Sequence, residues 1–328
     1  MEPWSIAGND LPPGRRGADP QAAAVRLLAV DEESAGQRLD NYLMRLLKGV
    51  PKTHIYRVIR SGEVRVNKGR AGADTRVAAG DIVRVPPMRV ATRPEVAAVP
   101  AREFPVLLED DHLLAINKPA GVAVHGGSGV SFGVIEQLRQ ARPAAKFLEL
   151  VHRLDKETSG VLLLAKKRSA LTILQGQFRS RETAKIYAAV VFGEWPDKLK
   201  VIDQPLHKTL DAVGERHVRV VSPAHEDGRR SITLVKVAQR LTGSTLLQVT
   251  IKTGRTHQIR VHLAHAGHPI VGDPKYGDFA RNKAFAREHG GPRMYLHAAE
   301  LAFDHPASGE RITLRAPLPA EFATLRAV

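Results

Sequence analysis

The sequence predicts an α+β fold in two parts, a small basic module followed by a larger domain with a mostly antiparallel sheet. From residue 105 to the end, short segments alternate apolar and polar residues without the regular strand-helix alternation of parallel sheets. In residues 36–85, two short helical patterns precede strand patterns, and a proline-rich stretch separates the two parts. With 328 residues and 43% hydrophobic content, the chain can bury a substantial core.

Composition narrows the classes of function open to the chain. Lys and Arg number 49 against 34 Asp and Glu, and the net charge of +15 favours a nucleic-acid partner. The absence of cysteine excludes disulfides, thiolate nucleophiles and zinc sites that contain cysteine. No apolar stretch approaches the roughly 20 residues of a membrane-spanning helix, and the N-terminus lacks the apolar segment of a secretory signal. We therefore expect a cytoplasmic monomer with no membrane partner.

The first elements can be assigned from periodicity. Residues 1–35 are rich in Ala, Pro, Gly and Asp without a sustained period, which predicts a disordered leader. Leu39, Leu43 and Leu46 then fall at helical spacing, and a second helix is predicted to begin at Pro51. The segments EVRVNKGR and DTRVAAGDIVRVP alternate apolar and polar residues between turn residues, which indicates short strands.

Positive charge is concentrated in this module. Residues 36–89 contain 12 Lys and Arg against 4 Asp and Glu, so about a sixth of the chain carries a net charge of +8. With two helices followed by SGEVRVNKGR and AGDIVRV, residues 36–85 resemble the S4 RNA-binding domain. The resemblance implies a set of phosphate contacts, which position a nucleic acid without reading its bases. These residues are Arg57, Arg60, Arg65, Lys68 and Arg70.

The remaining chain is predicted to be a linker and a second domain. Residues 86–104 contain four prolines and no periodicity, so we expect a linker. Residues 105–328 are expected to form the catalytic domain. Its strand patterns are PVLLE, HLLAIN, KIYAAVV, TLLQVTI and RITLRAP, with helical patterns near residues 132–140 and 169–179.

Four clusters place polar residues where a core pattern would not. They are NKPAG at residues 117–121, HRLDKETSG at 152–160, KIYAA at 185–189 and TGRTHQIR at 253–260. The second cluster interrupts an apolar run, so we expect a loop between two buried segments that carries the chemistry. Its small residues TSG are suited to a turn that returns the chain to the core.

In this order, the four motifs resemble those of the RluA-type pseudouridine synthases. VHGGSG, SFGVIE and FLELVHRLD extend the similarity over residues 36–318 and are most like those of members that modify large-subunit ribosomal RNA. The resemblance implies an isomerase with a bent, mostly antiparallel sheet, and an RNA partner that is 23S ribosomal RNA or its precursor. Which uridines are modified stays open, and other ribosomal or transfer RNA sites are alternatives.

The implied reaction needs no cofactor. The bond from N1 of uridine to C1′ breaks, the base turns, and it is rejoined through C5 with no net oxidation. In agreement, the chain has no GxGxxG motif, Walker loop or HExxH motif. The reaction does need a carboxylate beside the sugar, as in glycoside chemistry. We therefore expect no cofactor and no metal.

The resemblance assigns roles to four residues. Asp155 matches the essential aspartate, which either attacks C1′ or removes a sugar proton, and both routes need it ionised. Arg255 matches the basic partner expected to hold that charge against desolvation. Tyr187 matches the tyrosine that lies against the target base. Arg153 matches the arginine thought to fill the space of the flipped base.

Each role has a structural alternative. Asp155 could be a loop acid in a structural ion pair, Tyr187 an ordinary strand residue, and Arg255 a surface phosphate binder. His152 is interpreted as a hydrogen-bonded loop residue, outside the catalytic set.

Two other classes of function compete with the isomerase. The histidines of HQIRVHLAHAGH could bind a metal ion in a hydrolase, although no flanking acid has the spacing of a known zinc motif. The chain could also be a non-catalytic RNA-binding assembly factor, against which the intact motif residues argue. The basic segment at residues 274–294 has no assigned role.

Overall fold

The computed structural model describes residues 24–47, 49–88, 99–127, 130–210, 216–289 and 291–326. The chain divides into two compact units, Met1–Ala98 and Val99–Val328. No helix in these described ranges is long and apolar enough to cross a membrane.

The first unit packs two helices against a four-stranded antiparallel sheet in the order β1-β4-β2-β3. Leu43 and Ile55 from the helices pack with Val83 and Val85 of the sheet in one apolar core. The two predicted helices and the short strands are thus present. The elements are β1 (Arg26–Ala29), a 3-10 helix (Glu32–Ser34), α1 (Leu39–Leu46), α2 (Lys52–Arg60), β2 (Arg65–Val66), β3 (Gly69–Arg70) and β4 (Ile82–Val85).

The structure corrects the predicted leader. Strand β1 lies inside the span 1–35 and pairs with β4, with Leu28 opposite Val83. Residues 1–23 lie outside the described residues. The four residues RLLA are too short a signal to reveal a strand whose partner lies more than 50 residues away.

The described residues at both ends of the predicted linker, 86–104, include residues that belong to the cores of the two units. Met88 is buried in the core of the first unit, and Phe104 is buried in a core of the second. Residues 89–98 lie outside the described residues.

The second unit is built on a ten-stranded sheet. Eight strands follow the order β10-β13-β14-β9-β15-β8-β6-β5, with β16 paired to β15 and β7 to β8. Within the described residues, β15 and β8 form the parallel pair and the other pairs are antiparallel, as the sequence predicted. A separate hairpin is formed by β11 and β12.

The elements of the second unit follow in chain order. They are β5 (Val106–Glu109), β6 (Leu113–Lys118), α3 (Val134–Ala141), β7 (Glu149–Leu150), β8 (Ser159–Ala165), α4 (Arg168–Ser180), β9 (Ala184–Phe192), β10 (Val201–Asp203), β11 (Leu206–Leu210), β12 (Arg216–Val220), β13 (Ile232–Leu241), β14 (Ser244–Ile251), α5 (Gln258–His265), α6 (Phe279–Glu288), β15 (Leu296–Asp304), β16 (Arg311–Arg315) and α7 (Ala320–Ala323).

Strand β8 lies at the centre of this unit. All seven of its residues are buried, because helices cover both faces of the sheet there. Val161 and Leu163 pack with Leu171 of α4, while Leu162 and Leu164 pack with α3. Burial on both faces explains why VLLLA is a continuous apolar run in a mostly antiparallel sheet.

Candidate active site

The loop that carries Asp155 occupies residues 151–158 between β7 and β8. Thr158 donates its backbone N–H to the carbonyl of Asp155 at 3.1 Å, which closes a turn around the acidic residue. The loop is where the sequence predicted it. Ser159 and Gly160, expected in the turn, instead begin strand β8.

The buried side chain of Lys118 also holds this loop in place. Lys118, the last residue of β6, is fully buried and donates from Nζ to the carbonyls of Pro119 (2.9 Å), Val122 (2.8 Å) and Lys156 (3.1 Å). Burial lowers the pKa of Lys118 to about 7, against the negative charges of Glu157 and Asp155. Because Lys156 follows Asp155 directly, one lysine joins the first motif of the sequence to the second.

His152 fixes the start of the loop. Its Nε2 accepts the backbone N–H of Leu163 at 3.1 Å, and its ring stacks on Phe178 with centroids 4.8 Å apart. Burial, and then the charge of Lys185, lowers the pKa of His152 to about 4. The ring is therefore neutral at neutral pH, as its acceptor role requires, and it is the hydrogen-bonded loop residue that the sequence indicated.

Asp155 is paired with Arg260. The carboxylate is about 29% exposed, and its Oδ2 lies 3.1 Å from Nη1 of Arg260 on α5. Arg260 in turn binds Asp273 through Nε (2.7 Å) and Nη2 (2.8 Å), and both partners are buried. Burial opposes ionisation of Asp273, but its bonds to Arg260 outweigh it and hold its pKa below the ordinary value. The guanidinium thus binds two carboxylates, and that of Asp155 is partly exposed to solvent.

This pairing corrects the expectation for Arg255. Among the described residues Arg255 forms no ion pair, and its exposed side chain lines the same cleft as Asp155. Buried Gln258 fixes the loop before it, accepting from the Thr253 hydroxyl at 2.7 Å and from the Arg255 backbone N–H at 3.1 Å. Helix α5 begins at Gln258, so its first turn presents Arg260 to Asp155 and leaves Arg255 outside the helix.

Two residues complete the surroundings of Asp155. His257 has a left-handed backbone (φ 53°), and its Nε2 lies 3.8 Å from Oδ1 of Asp155. Its Nδ1 is 2.8 Å from the hydroxyl of Tyr276, whose ring lies against the guanidinium of Arg260 at 5.1 Å. Burial lowers the pKa of His257 and raises the pKa of Tyr276 to about 12. Both rings are therefore neutral at neutral pH.

Tyr187 lies on β9, where its neighbours are Val249 of β14 and Ala298 of β15. It is partly buried and lines the cleft with Asp155. Burial, and then the negative charge of Asp155, raises the pKa of Tyr187 well above its ordinary value. A hydroxyl that stays protonated favours stacking on a base over removal of a proton.

The cleft has a volume of about 670 Å³ and a strongly positive lining. Asp155 is the single carboxylate among the described residues that line it, whereas seven of its cations form no ion pair with Asp155. Those cations are Arg153, Lys156, Arg179, Arg181, Lys185, Lys252 and Arg255. Such a cleft suits a polyanion that presents one neutral base to the carboxylate.

The other predicted RNA-binding residues lie on the surface. Arg153 is exposed beside Asp155 in the catalytic loop. In the first unit all five predicted contacts are exposed on α2, β2, β3 and the turn between the strands. That turn is a type I′ hairpin, since Asn67 and Lys68 both have positive φ, of 49° and 69°. The five side chains are Arg57, Arg60, Arg65, Lys68 and Arg70.

The histidines of α5 and its flanks have other partners than a metal ion. His262 is buried, with Nδ1 2.8 Å from Oγ1 of Thr233 and Nε2 3.0 Å from the carbonyl of Gln204. His268 contacts the carbonyl of Phe192 at 3.0 Å. No group of three or more His, Asp or Glu within the described residues could hold a metal ion. The metal-dependent alternative therefore has no supporting geometry in this part of the chain.

Sequence reasoning missed Arg260, Asp273 and Lys118. The motif TGRTHQIR contains two arginines, and spacing alone gives no basis for choosing the second. Asp273 lies outside the four motifs, and the burial of Lys118 depends on three carbonyls from two different loops. The signal in the sequence for Lys118 was the polar cluster NKPAG at the end of a strand pattern. The structure shows that this strand pairs with β8.

Comparison with known families gives two matches. Residues 112–265 match the family described as RNA pseudouridylate synthase, and residues 37–83 match the S4 domain.

Several curated proteins are similar over nearly their whole length. The chain is 52% identical over 302 residues to "Ribosomal large subunit pseudouridine synthase C" of Yersinia pestis, covering 90% of this chain and 92% of that protein. The protein of the same name from Escherichia coli (strain K12) is 50% identical over 305 residues, with 91% and 94% covered.

Solved structures give the same fold. Human RNA Pseudouridylate Synthase Domain Containing 1 superposes with a TM-score of 0.56 at 27% identity, covering 69% of this chain and 89% of that one. Human RNA Pseudouridylate Synthase Domain Containing 4 has a TM-score of 0.55 at 29% identity, with 67% and 90% covered.

Proposed function

The chain belongs to the RNA pseudouridylate synthase family, and from that premise we propose that it isomerises uridines of large-subunit ribosomal RNA to pseudouridine. The relatives named for this substrate are similar over at least 90% of the chain, both units included. The observation that carries the proposal at the site is Asp155, paired with Arg260 at 3.1 Å and exposed to a cleft that seven further cations line.

Different residues of the cleft bind the RNA and hold the flipped base. Phosphates of the RNA bind the cations of the rim, and the target nucleotide leaves its stack at a cost of about a few kcal/mol. Arg153, exposed beside Asp155, fills the vacated position with a planar cation. The ring of Tyr187 then stacks on the base, while its hydroxyl stays neutral.

Asp155 acts on the sugar, either at C1′ or at a neighbouring C–H. Arg260 orients the carboxylate, since its other two nitrogens are committed to buried Asp273. The N1–C1′ bond breaks and a C5–C1′ bond forms. The proton leaves C5 and a proton is taken up at N1, so the step is balanced without a cofactor.

The RNA substrate also defines where the protein works. We propose a monomer in the cytoplasm, because the cleft is complete within the second unit of one chain and ribosomal RNA is its substrate. Sedimentation of the protein alone and with RNA tests the monomer.

The decisive experiment replaces Asp155 with Asn, which keeps the size of the side chain and removes its charge. The substrate is in vitro transcribed large-subunit ribosomal RNA, and the product is mapped at nucleotide resolution. We expect no pseudouridine from Asp155→Asn and a Kd for RNA within about 2-fold of the parent, because phosphate contacts supply most of the affinity.

Two controls decide between the alternatives. Transfer RNA, offered in parallel, distinguishes the proposed substrate from the transfer-RNA alternative by which RNA acquires pseudouridine. Clear residual turnover by Asp155→Asn would refute the role of the carboxylate. Wild-type protein that binds the RNA and forms no pseudouridine would favour an assembly factor.

A further inference from the structure

Helix α6 is joined to the active site through Asp273, yet nothing in the reaction described above uses it. None of its residues is buried. Asn282 anchors it, accepting the backbone N–H of Gly272 at 2.6 Å and donating to the carbonyl of Asp273 at 3.0 Å. Because Asp273 holds Arg260, these bonds link the helix to the ion pair of Arg260 with Asp155.

The outer face of α6 combines an aromatic ring with two cations. Phe279, Lys283 and Arg287 are four residues apart in sequence, so they lie on one side of the helix at intervals of about 6 Å. Phe279 is 66% exposed, the most exposed aromatic side chain among the large hydrophobic residues of the described chain. Lys283 and Arg287 are also exposed. We call these three residues the α6 stripe.

Neither cation of the α6 stripe is neutralised by the protein. Within the described residues, Lys283 and Arg287 form no ion pair with a carboxylate. The inner side of the helix is occupied instead, since the ring of Phe285 packs against Phe192 and Tyr295. The apolar packing of α6 is therefore satisfied without Phe279.

We propose that the α6 stripe binds a single-stranded or looped segment of the substrate RNA, outside the cleft that holds the target nucleotide. An unstacked base lies on the ring of Phe279, and phosphates of the same strand bind Lys283 and Arg287. This inference rests on the proposed function, because it extends the path of the same RNA beyond the cleft.

Charge complementarity favours RNA over a protein partner. The ten residues of α6 contain three cations and one acid, and the cleft of the same unit is lined by eight cations and one carboxylate. An aromatic ring flanked by cations offers both contacts that single-stranded RNA makes, whereas a protein would need an acidic and apolar face of matching shape.

The test compares variants of the full chain in binding and in turnover. The probe is in vitro transcribed large-subunit ribosomal RNA, with affinity measured over a range of salt concentrations. Lys283→Ala with Arg287→Ala removes the charges, Phe279→Ala removes the ring, and Phe279→Tyr restores a ring. Matched controls are Glu288→Ala at the end of the same helix and Ile173→Ala, an exposed apolar residue of α4.

We expect the double variant to bind about 5- to 10-fold more weakly, with a salt slope about 1.4 units shallower, as for two lost phosphate contacts on a single strand. Phe279→Ala is expected to lose about 5-fold or more in affinity without a change of slope, and Phe279→Tyr to regain it. Turnover at saturating RNA stays at the parental rate, and both controls behave as the parent.

Three results would overturn the inference. One is an unchanged affinity and slope in both the double variant and Phe279→Ala. Another is a failure of Phe279→Tyr to restore binding. The third comes from a parallel turnover assay on ribosomal particles: normal binding to free RNA with turnover lost only on the particles would assign the α6 stripe to a protein. Failure of the wild-type protein to form pseudouridine would instead refute the proposed function, and the binding measurements would still report on the α6 stripe.

Discussion

Arg260 serves two carboxylates with one guanidinium, and the two have different surroundings. Asp273 is fully buried and also accepts the backbone N–H groups of Lys275 (2.8 Å) and Tyr276 (3.0 Å). Asp155 has Arg260 as its ion-pair partner and is open to the cleft. The buried carboxylate orients the arginine, and the arginine orients the exposed carboxylate, so the geometry of Asp155 depends on a residue that never meets the RNA.

Replacement of Arg260 by Lys should therefore be severe although it keeps the charge. A single ammonium cannot reproduce the bidentate bond to Asp273 together with the bond to Asp155. We expect turnover to fall on the order of 100-fold or more, with a loss of stability of about 3 kcal/mol. The matched control is Arg255→Lys, five residues earlier in the same motif, which should change turnover much less. If both variants lost turnover equally in single-turnover assays, Arg255 would again be a candidate partner of Asp155.

His152 gives the protein a predictable response to acid. Its folded-state pKa of about 4 lies below the ordinary value of 6.5, so the unfolded chain binds the proton first as the pH falls. Stability is therefore present above pH 6.5 and is lost as the pH falls from about 6.5 to about 4, by about 2 kcal/mol between pH 7 and pH 5.

The measurement is urea unfolding at pH 7 and pH 5. His152→Gln should remove that share of the pH dependence, because its amide oxygen can still accept the N–H of Leu163 without titrating. His125→Gln, at an exposed position, should keep the parental dependence. If all three proteins lose the same stability between the two pH values, His152 is not a source of the effect.

Among the elements, strand β8 determines where the catalytic loop ends. Ser159 at its start contacts Nδ1 of His297 on β15 at 2.9 Å and accepts from Nη2 of Arg293 at 2.8 Å. Arg293 also binds Glu321 of the C-terminal helix α7. The loop is thus fixed at its exit by a neighbouring strand and by a helix near the end of the chain.

Gly160 is the position in β8 that tolerates no side chain. Its φ is +111°, and a Cβ there would lie 2.2 Å from the carbonyl oxygen of Ala298 on β15. Gly160→Ala should destabilise the protein by about 3 kcal/mol or more and reduce turnover, because β8 and β15 must separate. Gly176→Ala in the interior of α4 meets no atom within 4 Å and should stabilise by about 0.5–1 kcal/mol. Thermal unfolding compares the two, and similar melting temperatures would contradict the assignment.

The whole molecule consists of two units with separate cores. The apolar core of the first unit draws its residues from Leu28 to Met88, and the cores of the second begin at Phe104. All the residues proposed for chemistry lie in the second unit, whereas the five basic side chains predicted to bind phosphate lie in the first. Binding and chemistry are therefore expected to be separable.

Deletion of residues 1–98 tests this separation. The cut must include β1, because a deletion that began at residue 36 would leave that strand without its partner β4. We expect the remaining unit to fold, to bind ribosomal RNA more weakly and with a shallower salt dependence, and to keep turnover at saturating RNA. Unchanged affinity at every salt concentration would remove the role of the first unit in RNA binding.

Local sequence was sufficient to predict many elements of this protein and its family. The helices around Leu43 and Ile55, the loop of HRLDKETSG between buried segments and the strand KIYAAVV were predicted, because helix and strand periods are properties of neighbouring residues. The family followed from four ordered motifs, which are also local. Asp155, Tyr187 and Arg153 were expected at one site, and they do line one cleft.

Tertiary structure alone decided which partners these residues have. Arg260 rather than Arg255 meets Asp155 because α5 begins between the two arginines, and Asp273 and Lys118 reach the site from distant segments. Strand β1 exists only because β4 pairs with it. Periodicity reports which face of an element is apolar, but an ion pair or a strand pairing depends on distances between residues far apart in sequence, which folding alone sets.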